Sequence, residues 1–188
     1  MAKPTLPERL LAIHEGLEAA AIGHAFGGAI ALAYWTSDPR GTSDIDVNVF
    51  IPAAEAERAL AALPKGVAHD AETAERIARD GQARIFWDET PIDLFFDYVP
   101  IHADAARHRR LVPFAGAEIP VLGPVELAVF KAMFDRTRDW ADIEAMLAAR
   151  TLDLDAVRTQ LAKLVSADDE RFARLDEAVR RADAPGGG

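Results

Sequence analysis

Apolar residues recur along this chain at two spacings, one typical of helices and one typical of strands. Leucine and isoleucine residues three or four positions apart predict an amphipathic helix over residues 6–20. An apolar run over 21–26 predicts a strand, and a second run over 29–35 predicts a short buried helix. The pair Gly27-Gly28 between these runs predicts a tight turn.

The clearest strand is DIDVNVFI, residues 44–51, in which polar and apolar residues alternate strictly. Successive side chains of a strand point to opposite faces, so Asp44 and Asp46 share one face. The preceding segment, 36–43, is rich in turn-forming residues and predicts a loop.

The remaining elements follow from the same two spacings. In the first part of the chain they are helices over 53–63, 71–80 and 102–109 and strands over 83–87, 92–96, 111–114 and 118–122. Beyond Gly123-Pro124 only helical spacing remains, over 124–134, 137–149, 153–165 and 168–182. We therefore predict an α/β (α+β) fold in residues 1–123, a helical region over 124–183 and a disordered tail over 184–188.

Composition narrows the class of protein. Of 188 residues, 50% are hydrophobic and 28% are charged, which is typical of a globular chain. The absence of cysteine excludes disulfides, a thiol nucleophile and a thiolate metal site. No stretch has the length and apolarity of a signal peptide core or a membrane span, so we expect a soluble, cytoplasmic protein with no membrane partner.

The charge balance excludes one class of function. The chain has 21 Lys+Arg against 31 Asp+Glu, a formal charge of -10, whereas proteins that wrap a polyanion need excess Lys and Arg. A nucleotide bound with magnesium is not excluded, because the metal neutralises part of its charge. The five histidines lack the H-E-x-x-H spacing of a zinc helix, so we expect no zinc site. Neither G-x-x-x-x-G-K-[ST] nor G-x-G-x-x-G occurs, which excludes a P-loop and a Rossmann nucleotide site.

Asp44 and Asp46 are the first candidates for chemistry. On a strand that rises roughly 3.3 Å per residue, their Cβ atoms lie about 7 Å apart on one face. The two like charges repel, a divalent cation removes the conflict, and oxygen ligands suit magnesium. Asp93, inside the apolar segment TPIDLFFD, is a third candidate for sharing such an ion. Solvated acids on a sheet edge remain the alternative for all three.

Gly27 and Gly28 are the candidates for phosphate binding. A residue without a Cβ lets backbone N–H groups approach a phosphate, and the N-terminus of the helix that follows adds its positive end. The alternative is that the pair only makes the turn. Arg40 and Arg84 could contact phosphate or lie solvated at the surface, and for Arg84 we expect the surface.

The run GHAFGGAIALAYWTSDPRGTSDIDVNVFI, residues 23–51, resembles the opening of the DNA polymerase β-type nucleotidyltransferase superfamily, with its glycine pair, D-x-D and later third Asp. It is most similar to the small bacterial branch of AbiEii-like and minimal nucleotidyltransferases. The residues that match motifs of that branch are Arg40, Thr42, Asp44, Ile45 and Asp46, and in a later segment Lys131, Arg136, Asp139, Asp142 and Ile143. The matches cover roughly residues 20–150.

The resemblance implies a nucleotidyltransferase-type mixed sheet flanked by helices, with the catalytic domain in residues 1–123. It implies that Asp44 and Asp46 bind Mg²⁺ and that Asp93 shares the metal and helps to deprotonate an acceptor hydroxyl. That hydroxyl would attack the α-phosphate of a nucleoside triphosphate such as ATP and release pyrophosphate. The residues implied in nucleotide binding are Gly27, Gly28, Arg40, Thr42 and Lys131. Gly28 stands where many active members have serine, which shifts the subfamily more than the activity.

Several functions remain open within this resemblance. The acceptor could be a tRNA end, a protein side chain or a small molecule, and in the toxin-like branch a partner antitoxin would neutralise the activity. A non-catalytic relative that binds a nucleotide or a protein partner is the second hypothesis. An antibiotic-modifying nucleotidyltransferase with an acidic pocket for a cationic drug is the third, and the charge of -10 allows it.

Overall fold

The computed structural model describes residues 3–37, 40–97 and 99–183. They form two compact units, the first made of residues up to 30 and 41–122, the second of residues 31–40 and those from 123 onward. The predicted tail, 184–188, lies outside the described residues. The assignment of residues 1–123 as a catalytic domain stays a prediction.

The first unit alternates helices and strands. In chain order these are α1 (Leu6–Ala19), β1 (His24–Phe26), α2 (Gly28–Trp35), which continues into the second unit, β2 (Ile45–Pro52), α3 (Ala56–Ala62), β3 (Val67–Ala68), α4 (Ala71–Asp80), β4 (Gln82–Trp87), β5 (Thr90–Asp97), α5 (Ile101–His108), β6 (Arg110–Phe114) and β7 (Ala117–Val121). A 3-10 helix, Ala53–Glu55, precedes α3. The two-residue strand β3 was not predicted, because so short a run carries no period of its own.

The seven strands found in the described residues form one mixed sheet in the order β3-β4-β5-β2-β1-β7-β6. The pairs β2–β5 and β1–β7 are parallel, and the other neighbouring pairs are antiparallel. The predicted mixed α/β sheet is therefore confirmed, and the strand with the strictest alternation, β2, is its middle strand.

The alternation along β2 matches its burial. Ile45, Val47 and Val49 are all 0% exposed, whereas Asp46 between them is half-buried. Asn48 is also buried, at 4% exposure, so parts of both faces of this strand are covered. The strand face that carries the aspartates is consequently less solvated than an isolated edge strand would leave it.

The strand predicted over 21–26 is shorter than expected. Ala21 has a left-handed backbone, with φ of 53°. Its N–H donates to the Glu18 carbonyl at 2.9 Å, and the Ile22 N–H donates to the Leu17 carbonyl at 2.9 Å. These bonds close the end of α1 and delay the start of β1 to His24, because backbone groups used at a helix end are not available to the sheet.

The second unit is helical, as the spacing predicts. Its helices beyond α2 are α6 (Pro124–Phe134), α7 (Thr137–Ala148), α8 (Leu154–Leu161) and α9 (Glu170–Asp183). The side chains at its centre, each 0% exposed, are Val129, Ile143, Met146, Val157, Leu161 and Leu175. Among the described residues, every helix is too short or too polar to cross a bilayer.

Candidate active site

The parallel pairing of β2 with β5 brings two predicted carboxylates together. Asp46 is the direct register partner of Asp93. Paired residues on neighbouring strands place their Cβ atoms on the same face, roughly 5 Å apart. Two residues that lie 47 positions apart in the sequence thus share one patch of the sheet.

Asp44 stands one residue before β2 and is held by its own neighbours. Its carboxylate accepts a hydrogen bond from the Ser43 hydroxyl at 2.7 Å. Its N–H donates to the Thr42 hydroxyl oxygen at 3.1 Å, and that hydroxyl donates to the Asp44 carbonyl at 3.2 Å. Thr42, predicted to bind the nucleotide, therefore shapes the turn that presents Asp44.

Arg84 pairs with Asp93, a contact that was not predicted from the sequence. Its Nε donates to Asp93 Oδ1 at 2.7 Å and its Nη2 to Oδ2 at 2.6 Å, a bidentate pair between register partners on β4 and β5. The Arg84 side chain is 54% exposed, so it does lie at the surface as expected, while that of Asp93 is 19% exposed. The available signal was the predicted hairpin, which places the two residues on facing strands.

The charge around Arg84 extends beyond Asp93. Its hydrogen bonds to Asp93 and the charge of that carboxylate raise the pKa of Arg84, and Asp44 and Asp46 add to the effect. Three carboxylates thus act on one guanidinium, which leaves the group with a formal charge of about -2. A divalent cation would balance this excess.

Gly28 permits the close approach of Asp46. The residue begins α2 with φ of 51°, and a Cβ added there would lie 1.8 Å from Asp46 Oδ2. The neighbouring Gly27 donates its N–H to the Asp46 carbonyl at 2.9 Å. The glycine pair therefore sets the first turn of α2 directly against Asp46. The turn therefore needs a residue without a side chain, as predicted. The group that approaches Gly28 closely in this structure is the carboxylate of Asp46.

The donor set of the three aspartates fits magnesium in kind, since all its ligands are carboxylate oxygens on or beside rigid strands. The side chains of the three aspartates do not point to a common centre: that of Asp44 points toward Ser43 and that of Asp93 toward Arg84. Within the described part of the chain, they are not a group whose ligand atoms all lie within 4.8 Å of one another. Asp93 would have to turn from Arg84 to share an ion with Asp46.

Lys131 and Arg40, the two other predicted nucleotide-binding residues, meet in the second unit. Lys131 Nζ lies 2.6 Å from Asp142 Oδ2, and Arg40 Nη2 lies 2.7 Å from the same oxygen. The Lys131 side chain is only 6% exposed, whereas that of Arg40 is 46% exposed. The resemblance had named Asp142 as a motif residue without assigning it a partner.

A second acid completes this group. Asp139, with 2% of its side chain exposed, lies 3.7 Å from Lys131 Nζ and accepts from Arg136 Nε at 2.6 Å. The group of Arg40, Lys131, Arg136, Asp139 and Asp142 thus holds three cations and two carboxylates. We call it the Asp139/Asp142 network. Its two buried acids are fully compensated.

The sequence of this chain matches no family model and none of the curated proteins. Its structure is similar to solved ones. The antibiotic-resistance factor ANT(2'')-Ia, solved in solution, superposes with a TM-score of 0.60 at 13% identity, covering 93% of this chain and 97% of that one. An antigenic nucleotidyltransferase-like protein from Paracoccidioides brasiliensis has a TM-score of 0.44 at 15% identity, covering 89% and 91%.

The likeness to ANT(2'')-Ia concerns the fold and extends over nearly the whole of both chains. The predicted fold class, a mixed α/β fold of the nucleotidyltransferase type with a helical region after it, is confirmed. The roles of the individual site residues stay predictions.

Proposed function

We propose that this protein is a magnesium-dependent nucleotidyltransferase, which moves a nucleoside monophosphate from a nucleoside triphosphate to an acceptor hydroxyl and releases pyrophosphate. The observation that carries the proposal is the pairing of Asp46 with Asp93 on neighbouring parallel strands, beside the glycine-led start of α2. Two carboxylates side by side repel each other, and a divalent cation between them would relieve this repulsion.

Each aspartate has a role in the proposal. Asp44, Asp46 and Asp93 would hold Mg²⁺, whose charge stabilises the entering and leaving oxygens of the displacement. Asp93 would take the proton of the acceptor hydroxyl. The oxygen of that hydroxyl would bond to the α-phosphorus while the bond from phosphorus to pyrophosphate breaks. Arg84, which holds both oxygens of Asp93, would have to release this carboxylate to the ion.

The nucleotide-binding residues complete the proposal. Gly27 and Gly28 would admit the phosphates at the N-terminus of α2, where backbone N–H groups and the helix dipole favour negative charge. For Thr42, Arg40 and Lys131 the assignment rests on the resemblance to AbiEii-like nucleotidyltransferases. Thr42 would act indirectly, through the turn that presents Asp44.

The test is transfer of label from each of the four α-labelled nucleoside triphosphates, with Mg²⁺, to total RNA, protein or small molecules. We expect Asp44→Asn and Asp46→Asn to abolish labelling. Asp97→Asn, an exposed acid at the end of the same strand as Asp93, is the matched control and should retain it. Equal labelling by all three variants would refute the assignment, and nucleotide binding without transfer would support a non-catalytic relative.

A second candidate is modification of an antibiotic. It is favoured by the similarity in fold to an antibiotic-resistance factor and by the formal charge of -10, which suits a cationic acceptor. Expression of the wild type should then raise resistance to an aminoglycoside without slowing growth, and Asp46→Asn should remove the resistance. Slowed growth that a co-expressed partner protein relieves would instead support a toxin.

A further inference from the structure

Three side chains outside the aspartate site offer metal ligands to one another. His14 and Glu18 lie on α1, and His24 opens β1. One ligand atom from each residue lies within 4.8 Å of the other two, and the two imidazoles are in direct contact, His14 Nδ1 to His24 Nε2, at 2.9 Å. We call them the His14/Glu18/His24 cluster.

The backbone holds the cluster in place. His14 and Glu18 are four residues apart, so they lie on the same face of α1. The turn after the helix is closed by the bonds from Ala21 and Ile22 back to Glu18 and Leu17. This turn returns the chain at once to His24, and its short length limits how far the strand ligand can move from the two helix ligands.

The hydrogen bonds of His24 aim a lone pair into the cluster. Its Nδ1 lies 2.9 Å from the Ile22 carbonyl oxygen, which can only accept, so Nδ1 carries the proton. With the proton on Nδ1, the neutral imidazole has its lone pair on Nε2, which lies 2.9 Å from His14 Nδ1. Metal-binding histidines commonly have this arrangement, the second nitrogen donating to a backbone carbonyl.

We propose that His14, Glu18 and His24 form a site for a divalent transition-metal ion of the zinc type. Two imidazoles and one carboxylate are ligands that zinc accepts, and water would take the fourth position. Two nitrogens that each bind zinc at roughly 2.0–2.1 Å in tetrahedral geometry lie about 3.4 Å apart, so the imidazoles need to separate by roughly half an ångström. His14 would shift its proton from Nδ1 to Nε2, with no net proton release.

The site is separate from the aspartates and does not depend on the proposed function. His24 pairs with Val49, three residues beyond Asp46 on β2, which is roughly 10 Å along the strand. A bound ion would tie α1 to the sheet and so stabilise the first unit.

The experiment measures Zn²⁺ binding by calorimetry and by metal content after dialysis, in buffer saturated with Mg²⁺. His14→Ala and Glu18→Gln change partly or fully exposed residues, so both variants should fold. We expect one Zn²⁺ per wild-type chain, at least about tenfold weaker binding in both variants, and unchanged binding in the control His69→Ala, an exposed histidine elsewhere. Asp44→Asn should also leave Zn²⁺ binding unchanged.

Two further readouts separate this site from adventitious binding. Co²⁺ in place of Zn²⁺ should give the intense visible absorption of a tetrahedral site in the wild type and lose it in His14→Ala. Zn²⁺ should raise the unfolding temperature of the wild type and not that of His14→Ala. No binding at micromolar Zn²⁺, or binding that His14→Ala leaves intact, would overturn the proposal.

Discussion

Two groups of aspartates in this chain balance their charge in opposite ways. Asp44, Asp46 and Asp93 in the first unit face one half-exposed guanidinium, and negative charge is in excess. Asp139 and Asp142 in the second unit are buried among three cations, and positive charge is in excess. The family resemblance implies metal binding for the first group, whereas it includes Asp139 and Asp142 as motif residues without a role.

The difference shows which acids are available to a ligand. A buried carboxylate whose charge is balanced by neighbouring cations mainly stabilises the fold, because an arriving cation would have to displace an existing one. A half-buried group with surplus charge gains from an added cation. The first group is therefore the better candidate for magnesium, and the second for stabilising the helical unit.

The largest expected effect is on stability, in the second group. Asp142→Asn leaves Lys131 buried without its nearest counter-charge, and we expect a loss of about 3–5 kcal/mol in the free energy of unfolding, measured in urea. Asp93→Asn should cost under about 1 kcal/mol, since its partner Arg84 is half-exposed.

The double variant Lys131→Met/Asp142→Leu is the control for that result. It removes both charges, so it should be considerably more stable than Asp142→Asn alone. Equal losses for Asp142→Asn and Asp93→Asn would mean that the two groups of acids do not differ in the way described.

The next largest effect is expected at Gly28, where the positive φ and the nearby Asp46 carboxylate both disfavour a side chain. Gly28→Ala should cost about 1–2 kcal/mol from its positive φ, with more from the contact with Asp46, and should abolish metal-dependent labelling. Gly116→Ala has φ of 89° but nothing within 4 Å, and Gly41→Ala also meets nothing within 4 Å. The unfolding free energies should rank Gly28→Ala, Gly116→Ala and Gly41→Ala from the largest loss to the smallest.

A smaller effect is expected at Arg84. Arg84→Gln removes a guanidinium that competes for both oxygens of Asp93, so the affinity for Mn²⁺, used as a paramagnetic substitute for Mg²⁺, should rise several-fold. Arg79→Gln, an arginine paired with Asp80 outside the site, should leave that affinity unchanged. Weaker Mn²⁺ binding in Arg84→Gln would show that the arginine supports the metal site.

The smallest effect is on pH dependence, and it concerns the buried side chain of His102. Burial lowers the pKa of His102, so the unfolded chain binds a proton more readily than the folded one. This contribution to stability is complete above the unfolded pKa of about 6.5 and is lost as the pH falls below it. Urea unfolding with chelator present, between pH 7.5 and pH 5.5, should show a shallower decline in His102→Gln than in the wild type.

Local elements of this protein could be predicted because their signals are periodic. The alternation over 44–51 predicted β2, and the helical spacing beyond residue 123 predicted the helical unit. The strand over 21–26 was predicted too long, because the left-handed Ala21 and its hydrogen bonds leave no mark on hydrophobicity. Gly28 was recognised as a position without a side chain, but the reason, the carboxylate of Asp46, was not.

The sequence alone therefore determined the order of the elements, the fold class and the residue types able to bind a metal. Only the tertiary structure decided which of them meet: Asp93 with Asp46 and Arg84, Lys131 with Asp142, and His14 with His24. Hydrophobic spacing reports a residue's neighbours within one helix or strand. Contacts between elements depend on strand order, register and helix packing, and these arise from the folding of the whole chain.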